Sequence, residues 1–341
     1  MLVTWKRRAL AGVICIASLA LACSEDPPMR TTIAVYTSLE QPRLDAYLRT
    51  FYAEVPDIQL EIVRDTPGAI ADRLLAEKDA PYADVIWGVG ATTLLTPKIR
   101  AQLVAYSPAG VERVRAPYRD PATPPTWVGT GAYVAVLCVN VPQLDHFGLQ
   151  PPKSLGELAD PKYQGLIAMA SPKISGAGYP IVSNLVQRLG EELAFQYLAQ
   201  LDRNVAVYTR SGARPCQLAK EGTSPIGISF DGAAALQQPA VTMIFPSEGS
   251  GWDVEANALV RKPEMLAASR RFLDWAIGDH AMAEYGQHTG ILSVQTGAPP
   301  PRGFPADLES HLGQNDLDKA GADRTHLLDR WQTAFGAKTE P

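Results

Sequence analysis

The chain has 341 residues, more than one ordinary domain, and its 46% hydrophobic and 20% charged residues suit a protein with a large core. Its formal net charge is −5, and no basic tract or basic–aromatic interleaving is present, which argues against nucleic acid as a partner. Past the N-terminus, no apolar run reaches membrane length.

The N-terminus reads as an export segment. Lys6, Arg7 and Arg8 precede the uncharged run Ala9 to Ala22, which is short for a permanent span and has the flanks of a secretory signal covering residues 1–22. A buried N-terminal helix is the plainer alternative. Ala20-Leu21-Ala22 is a small-x-small cleavage site, and Leu19-Ala20-Leu21-Ala22-Cys23 also resembles a lipobox, with Ala20 where leucine is usual. On the lipobox reading Cys23 is the lipidated first residue and anchors the protein in the periplasm; on the other the protein is free there. Loss of the segment removes three basic groups and no acidic one, so the net charge moves from −5 to −8. Residues 23–30, with Ser24-Glu25-Asp26-Pro27-Pro28, make a polar tether. Cys15 leaves with the signal. In an oxidising compartment a disulfide between Cys138 and Cys216 is then the default, with two buried thiols as the alternative.

From Thr31 onward, strand-like and helix-like segments alternate. Thr32 to Tyr36 is a β-branched run, Leu44, Tyr47, Leu48, Phe51 and Val55 recur at helical spacing, Ile58 to Val63 alternates, Ala69 to Lys78 is helical, and Asp84 to Val89 is apolar. This pitch predicts βαβ units and a mainly parallel sheet in a first lobe covering residues 31–126. Prolines break the chain from Pro121 to Pro125 and mark a crossing into a second lobe, residues 127–250. Strands are predicted there near Leu166–Ala170, Val205–Thr209, Ile226–Phe230 and Thr242–Phe245, with a clear helix from Glu191 to Leu201. Residues 251–296 return to the first lobe. Residues 297–341 form a proline-rich connection and a terminal helix ending near Trp331.

Ligands of parallel α/β sheets bind beyond the carboxyl ends of strands, where helix N-termini offer unpaired N–H groups. Four loops fit this description: Tyr36 to Glu40 (with Thr37 and Ser38), Trp87 to Thr92, Ser175-Gly176-Ala177-Gly178-Tyr179, and Tyr208 to Gly212 (with Ser211). Each alone is an ordinary cap; four together point to a cleft for an oxyanion. A cation would suit Asp231, Asp65, Asp253 or Glu255 beside the aromatic faces of Trp87, Tyr208 or Trp252. Enzyme signatures are missing: no nucleophile elbow, phosphate-binding Walker loop, complete dinucleotide motif or zinc-binding H-E-x-x-H occurs. No metal or cofactor is expected.

Several runs are similar to one family. Val35-Tyr36-Thr37-Ser38-Leu39-Glu40, Val63-Arg64-Asp65, Ala83-Asp84-Val85-Ile86-Trp87-Gly88, Tyr208 to Cys216, Pro225 to Phe230 and Gly251-Trp252-Asp253-Val254-Glu255-Ala256 resemble the 2-aminoethylphosphonate-binding proteins of ABC transporters. The likeness runs from about Thr31 to Trp331. It implies a periplasmic-binding-protein type II fold, two α/β lobes joined by two hinge crossovers with the ligand cleft between them. It also implies a monomer that closes on 2-aminoethylphosphonate and passes it to a membrane permease. On this resemblance Thr37, Ser38, Ser175, Gly176, Ala177, Gly178 and Ser211 hold the phosphonate. Asp231, with Trp87 and Asp65 or Asp253, holds the ammonium, and Tyr208 borders the site. Ferric iron or another small anion is the nearest rival; iron carriers use adjacent tyrosines, and here Tyr179, Tyr197 and Tyr208 lie apart. A scaffold lipoprotein of the envelope is the reading from another class.

Overall fold

The computed structural model describes residues 30–341, so the export segment and Cys23 lie outside the described residues. The first βαβ units are as the hydrophobic periods predict. β1 (Thr31–Thr37), β2 (Ile58–Arg64) and β3 (Val85–Gly90) run parallel in the order β2–β1–β3, connected by helices that include Gln41–Glu54 and Pro67–Ala76. In the former, Leu44, Tyr47 and Phe51 fall on one buried face. The latter opens at Thr66, whose hydroxyl accepts from the Ala69 N–H, with Pro67 supplying a preset first turn. A two-residue β4 (Leu103–Val104) follows.

Next in chain order come β5 (Val128–Val139), β6 (Ile167–Ala170), β7 (Val205–Thr209), β8 (Ile226–Phe230), β9 (Thr242–Ile244), β10 (Trp252–Val260) and β11 (Ile291–Leu292). The second lobe has its own parallel centre, β8–β6–β7, while β5 and β10 pair antiparallel to their neighbours, so the sheet is mixed rather than mainly parallel. β5 belongs to both lobes. Residues 128–134 pair with β10, and residues 135–139 pair with β8. The first crossing therefore falls between Val134 and Ala135, which corrects the boundary placed at residue 127. The prolines end the preceding loop, but the strand after them still completes the first lobe's sheet. The second crossing leads from β9 into β10.

Each lobe has its own core. Phe51, Trp87, Phe272, Trp275 and Tyr285 fill the first; Tyr163, Tyr179, Tyr208 and Trp331 fill the second. The terminal helix Leu317–Phe335 rests on both: Leu327 and Trp331 enter the second core, while Gly321 lies so close to Leu95 that a Cβ there would come within 2.3 Å of the Leu95 Cβ. Cys138 on β5 and Cys216 on the helix Arg214–Glu221 are bonded, with Cα atoms 5.1 Å apart, so the bridge lies within the second lobe. The result is two α/β lobes joined by two crossovers. Among the described residues, no helix is long and apolar enough to cross a membrane.

Candidate ligand-binding cleft

A cavity of about 300 Å³ opens between the lobes. Its walls are the loops that follow β1 and β2 with the end of β3 on one side, and the loops that follow β6 and β7 with the end of β8 on the other, as expected for parallel strand ends. The lobes touch beside it: the Gly68 N–H points at the Ile174 carbonyl at 3.4 Å, and a Cβ on Gly176 would lie 3.1 Å from Pro67 Cγ. This is a closed arrangement.

The first lobe contributes mostly acceptors. Ser38 Oγ donates to the Gly88 carbonyl at 2.9 Å, so its proton is committed and its lone pairs face the cleft. Glu40 is half-buried, and burial raises its carboxyl above the ordinary range, against the pull of Arg43. Asp65 is exposed and accepts from the Thr66 N–H at 2.7 Å through one oxygen. Arg43 is clasped by both oxygens of Glu255, at 2.8 and 2.7 Å. Burial opposes its charge, but the Glu255 carboxylate outweighs this and fixes the guanidinium as a cation. That pair is therefore satisfied within the lobe. Arg64 also lines the first-lobe wall and makes no ion pair among the described residues.

The second lobe contributes donors. Ser175 Oγ accepts from the Ala177 N–H at 3.2 Å and Ser211 Oγ from the Ala213 N–H at 3.3 Å, which leaves both hydroxyl protons unclaimed among the described residues. The N–H groups of Gly176, Ser211 and Gly212 likewise meet no acceptor among the described residues, and Arg210 stands beside them. Gly212 lies close to Ser175, where a Cβ would come within 2.9 Å of Ser175 Oγ and displace that hydroxyl. At the floor, Tyr133 of β5 reaches Asp253 Oδ2 and the Gly176 carbonyl, each at 3.3 Å. Burial and the neighbouring Asp253 carboxylate push its phenol well above the usual range.

Of the residues expected at the site, Ser38, Asp65, Ser175, Gly176, Ala177 and Ser211 line the cavity. The others are corrected. Thr37 is buried and turns its hydroxyl to the Leu39 N–H. Trp87 points into the first core and donates to the Tyr285 hydroxyl at 3.2 Å. Tyr208 points into the second core, edge-on to Trp331 with its hydroxyl on Asp202. Gly178 is packed against the backbone of β6, where a Cβ would meet the Ala170 carbonyl at 2.4 Å. Asp253 lies under the floor, held by Thr92 Oγ1 at 2.6 Å, and burial raises its carboxyl. Asp231 is also behind the wall: it is 2% exposed, and its Oδ1 accepts from the N–H groups of Val134 and Gly232. Arg43, Arg64, Arg210, Tyr133 and Phe230, to which no recognisable motif gives a role, also line the cavity. The signal available for Arg64 and Arg210 was their place at the ends of β2 and β7.

Donors line the second-lobe wall, and Glu40, Asp65 and Ser38 offer acceptors on the first beside the Arg64 guanidinium, an arrangement that suits a small ligand carrying both signs of charge. A family model of bacterial extracellular solute-binding proteins matches residues 80–287. The chain is 27% identical over 327 residues to an uncharacterized protein of Haemophilus influenzae, covering 91% of this chain and 92% of that one. It is 23% identical over 314 residues to the probable ABC transporter periplasmic-binding protein y4fP of Sinorhizobium fredii, 85% of each. Among solved structures, the periplasmic binding protein AfuA of Actinobacillus pleuropneumoniae, with exogenous fructose-6-phosphate bound, superposes with a TM-score of 0.81 at 25% identity, covering 90% of this chain and 99% of that one. Iron-bound HitA of Pseudomonas aeruginosa shares the fold, with a TM-score of 0.77 at 16% identity, over 89% of this chain and 99% of that one.

Proposed function

The chain belongs to the bacterial extracellular solute-binding proteins, and from that premise we propose that it is the substrate-binding component of an ABC importer for 2-aminoethylphosphonate or a close aminophosphonate. The observation that carries this reading is the division of hydrogen-bonding capacity across the cleft. Ser175, Ser211 and the free N–H groups of residues 176, 211 and 212 offer protons to an oxyanion. Glu40, Asp65 and the lone pairs of Ser38 offer acceptors to an ammonium. The phosphonate thus rests on the second lobe and the amine on the first, and a ligand with both ends joins the two walls. Closure stabilised in this way is the signal a permease reads, and reopening there releases the ligand. No bond is made or broken in this cycle. The protein works outside the cytoplasmic membrane, and attachment through Cys23 belongs to the same proposal.

A sugar phosphate is the second reading. It is favoured by the likeness to AfuA and by a cavity of about 300 Å³, which has room for more than a two-carbon amine. Its phosphate would occupy the same donors, and its hydroxyls would meet the carboxylates. Ferric iron is disfavoured because Tyr133 is the one tyrosine among the residues lining the cavity. Thermal-shift titration against 2-aminoethylphosphonate, fructose 6-phosphate, inorganic phosphate, ferric citrate and putrescine separates these readings. The largest saturable shift is expected with 2-aminoethylphosphonate; a larger one with any other ligand overturns the assignment.

A further inference from the structure

Arg210 follows the last residue of β7 and lines the cleft, and among the described residues no carboxylate pairs with its guanidinium. Its backbone, by contrast, is anchored, by its own N–H and through its neighbours. The Arg210 N–H donates to Glu340 Oε2 at 3.1 Å, and the Glu340 N–H donates to the Tyr208 carbonyl at 2.9 Å. Thr209 Oγ1 donates to the Ser211 carbonyl at 2.8 Å, and Ser229 Oγ donates to the Gly212 carbonyl. The loop is thus held by the protein's own groups, and the C-terminal residues are part of what holds it.

Neutral N–H and O–H donors attract any oxyanion as dipoles, so an added charge on the anion strengthens their hold by less than it strengthens that of a full positive charge. A guanidinium responds in proportion to that charge, because its attraction is Coulombic. Arg64 across the cleft is differently placed. It lies near enough to Glu40 to draw that carboxyl down, and it ends β2 on the first lobe, across the cleft from the second-lobe N–H and hydroxyl donors. We propose that Arg210 selects the phosphonate dianion over an isosteric monoanion, and that Glu340 positions it for this task. The inference rests on the aminophosphonate reading of the cleft.

The probes are 2-aminoethylphosphonate and 2-aminoethylsulfonate, which share chain and amine and differ by one charge once the phosphoryl group has lost its second proton, near pH 6. Calorimetry on the full mature chain from pH 5 to 8 reads the ratio of their affinities. The wild type is expected to favour the phosphonate by roughly tenfold or more at pH 8 and to lose that preference as pH falls through about 6. In Arg210→Gln the phosphonate affinity falls by about 10- to 100-fold, the sulfonate affinity falls less, and the ratio becomes flat with pH. Arg210→Lys keeps the charge and retains the pH dependence. Glu340→Ala lowers the ratio in the same direction, whereas Arg64→Gln changes both affinities alike. An unchanged ratio in Arg210→Gln overturns the inference while leaving the aminophosphonate reading in place. If the wild type binds fructose 6-phosphate and neither amino compound, that reading falls, and Arg210 is judged on the sugar phosphate. A pH profile that survives in Arg210→Gln then overturns the inference too, and a flattened one upholds it.

Discussion

Asp231 provides a stability test that needs no ligand. Its Oδ1 accepts from the Val134 N–H at 3.1 Å and the Gly232 N–H at 2.9 Å, while Oδ2 is buried without a hydrogen-bond partner. Burial raises the carboxyl pKa from 3.8 to about 7 despite those two donors, with Glu255 adding to the rise and Arg43 reducing it. Between these values the folded protein holds a proton that the unfolded chain has lost, so stability falls as pH rises from about 4 to 7. The shift from 3.8 to about 7 corresponds to about 4 kcal/mol, complete by pH 8. Asp231→Asn keeps an oxygen for both N–H groups and carries no charge; its unpartnered amide costs about 1 kcal/mol at every pH. The variant should therefore be about 1 kcal/mol less stable than wild type at pH 4 and about 3 kcal/mol more stable at pH 8. Urea unfolding of both proteins across this range reads the difference, in which titrating groups that do not interact with Asp231 cancel. A difference that does not change with pH, or a variant less stable at pH 8, would refute the reasoning.

Other consequences are checked in the same way. A methyl at Gly68 would approach the Lys173 carbonyl to 2.8 Å, so Gly68→Ala should hold the lobes apart and weaken ligand binding by about 1–2 kcal/mol, leaving the unfolding midpoint without ligand nearly unchanged; unaltered affinity contradicts the closed contact. The Cys138–Cys216 bridge spans 78 positions in sequence, and its reduction should cost about 4 kcal/mol on the chain-entropy model, read as a lower urea midpoint in reductant. Asp65→Asn and Glu40→Gln should each weaken 2-aminoethylphosphonate by about 1–3 kcal/mol and spare ethylphosphonate, which lacks the amine; equal losses for both ligands would remove these carboxylates from the ammonium end.

The alternating periods of β1 to β3 were legible because β-branched runs and helical spacings follow one another without interruption. Strand ends were legible too, and they located Ser38, Asp65, Ser175 and Ser211 in the cleft. The face on which a side chain leaves a fully buried strand was not. All six residues of β3 are buried, so no alternation told Trp87 to turn to Phe272 and Trp275 instead of the ligand. Asp231 sits at a strand end as expected, yet it turns inward to the N–H groups of Val134 and Gly232. Arg43 lies in the first turn of its helix, and its partner Glu255 is 212 residues away, a pairing that only the completed sheet brings about. The crossing inside β5 was hidden for a related reason: one strand serves two sheets, and its sequence does not change character between Val134 and Ala135.

The central claim is that the inter-lobe cleft takes one small zwitterion with its anion on the second lobe. Isothermal titration of the mature protein with 2-aminoethylphosphonate, alongside a Ser175→Ala, Ser211→Ala double variant, tests it most directly. The account predicts one site per chain, and an affinity loss of about 2–4 kcal/mol in the double variant for the two lost hydrogen bonds to a charged group. Absence of heat with the wild type, or equal affinity in the two proteins, would contradict it.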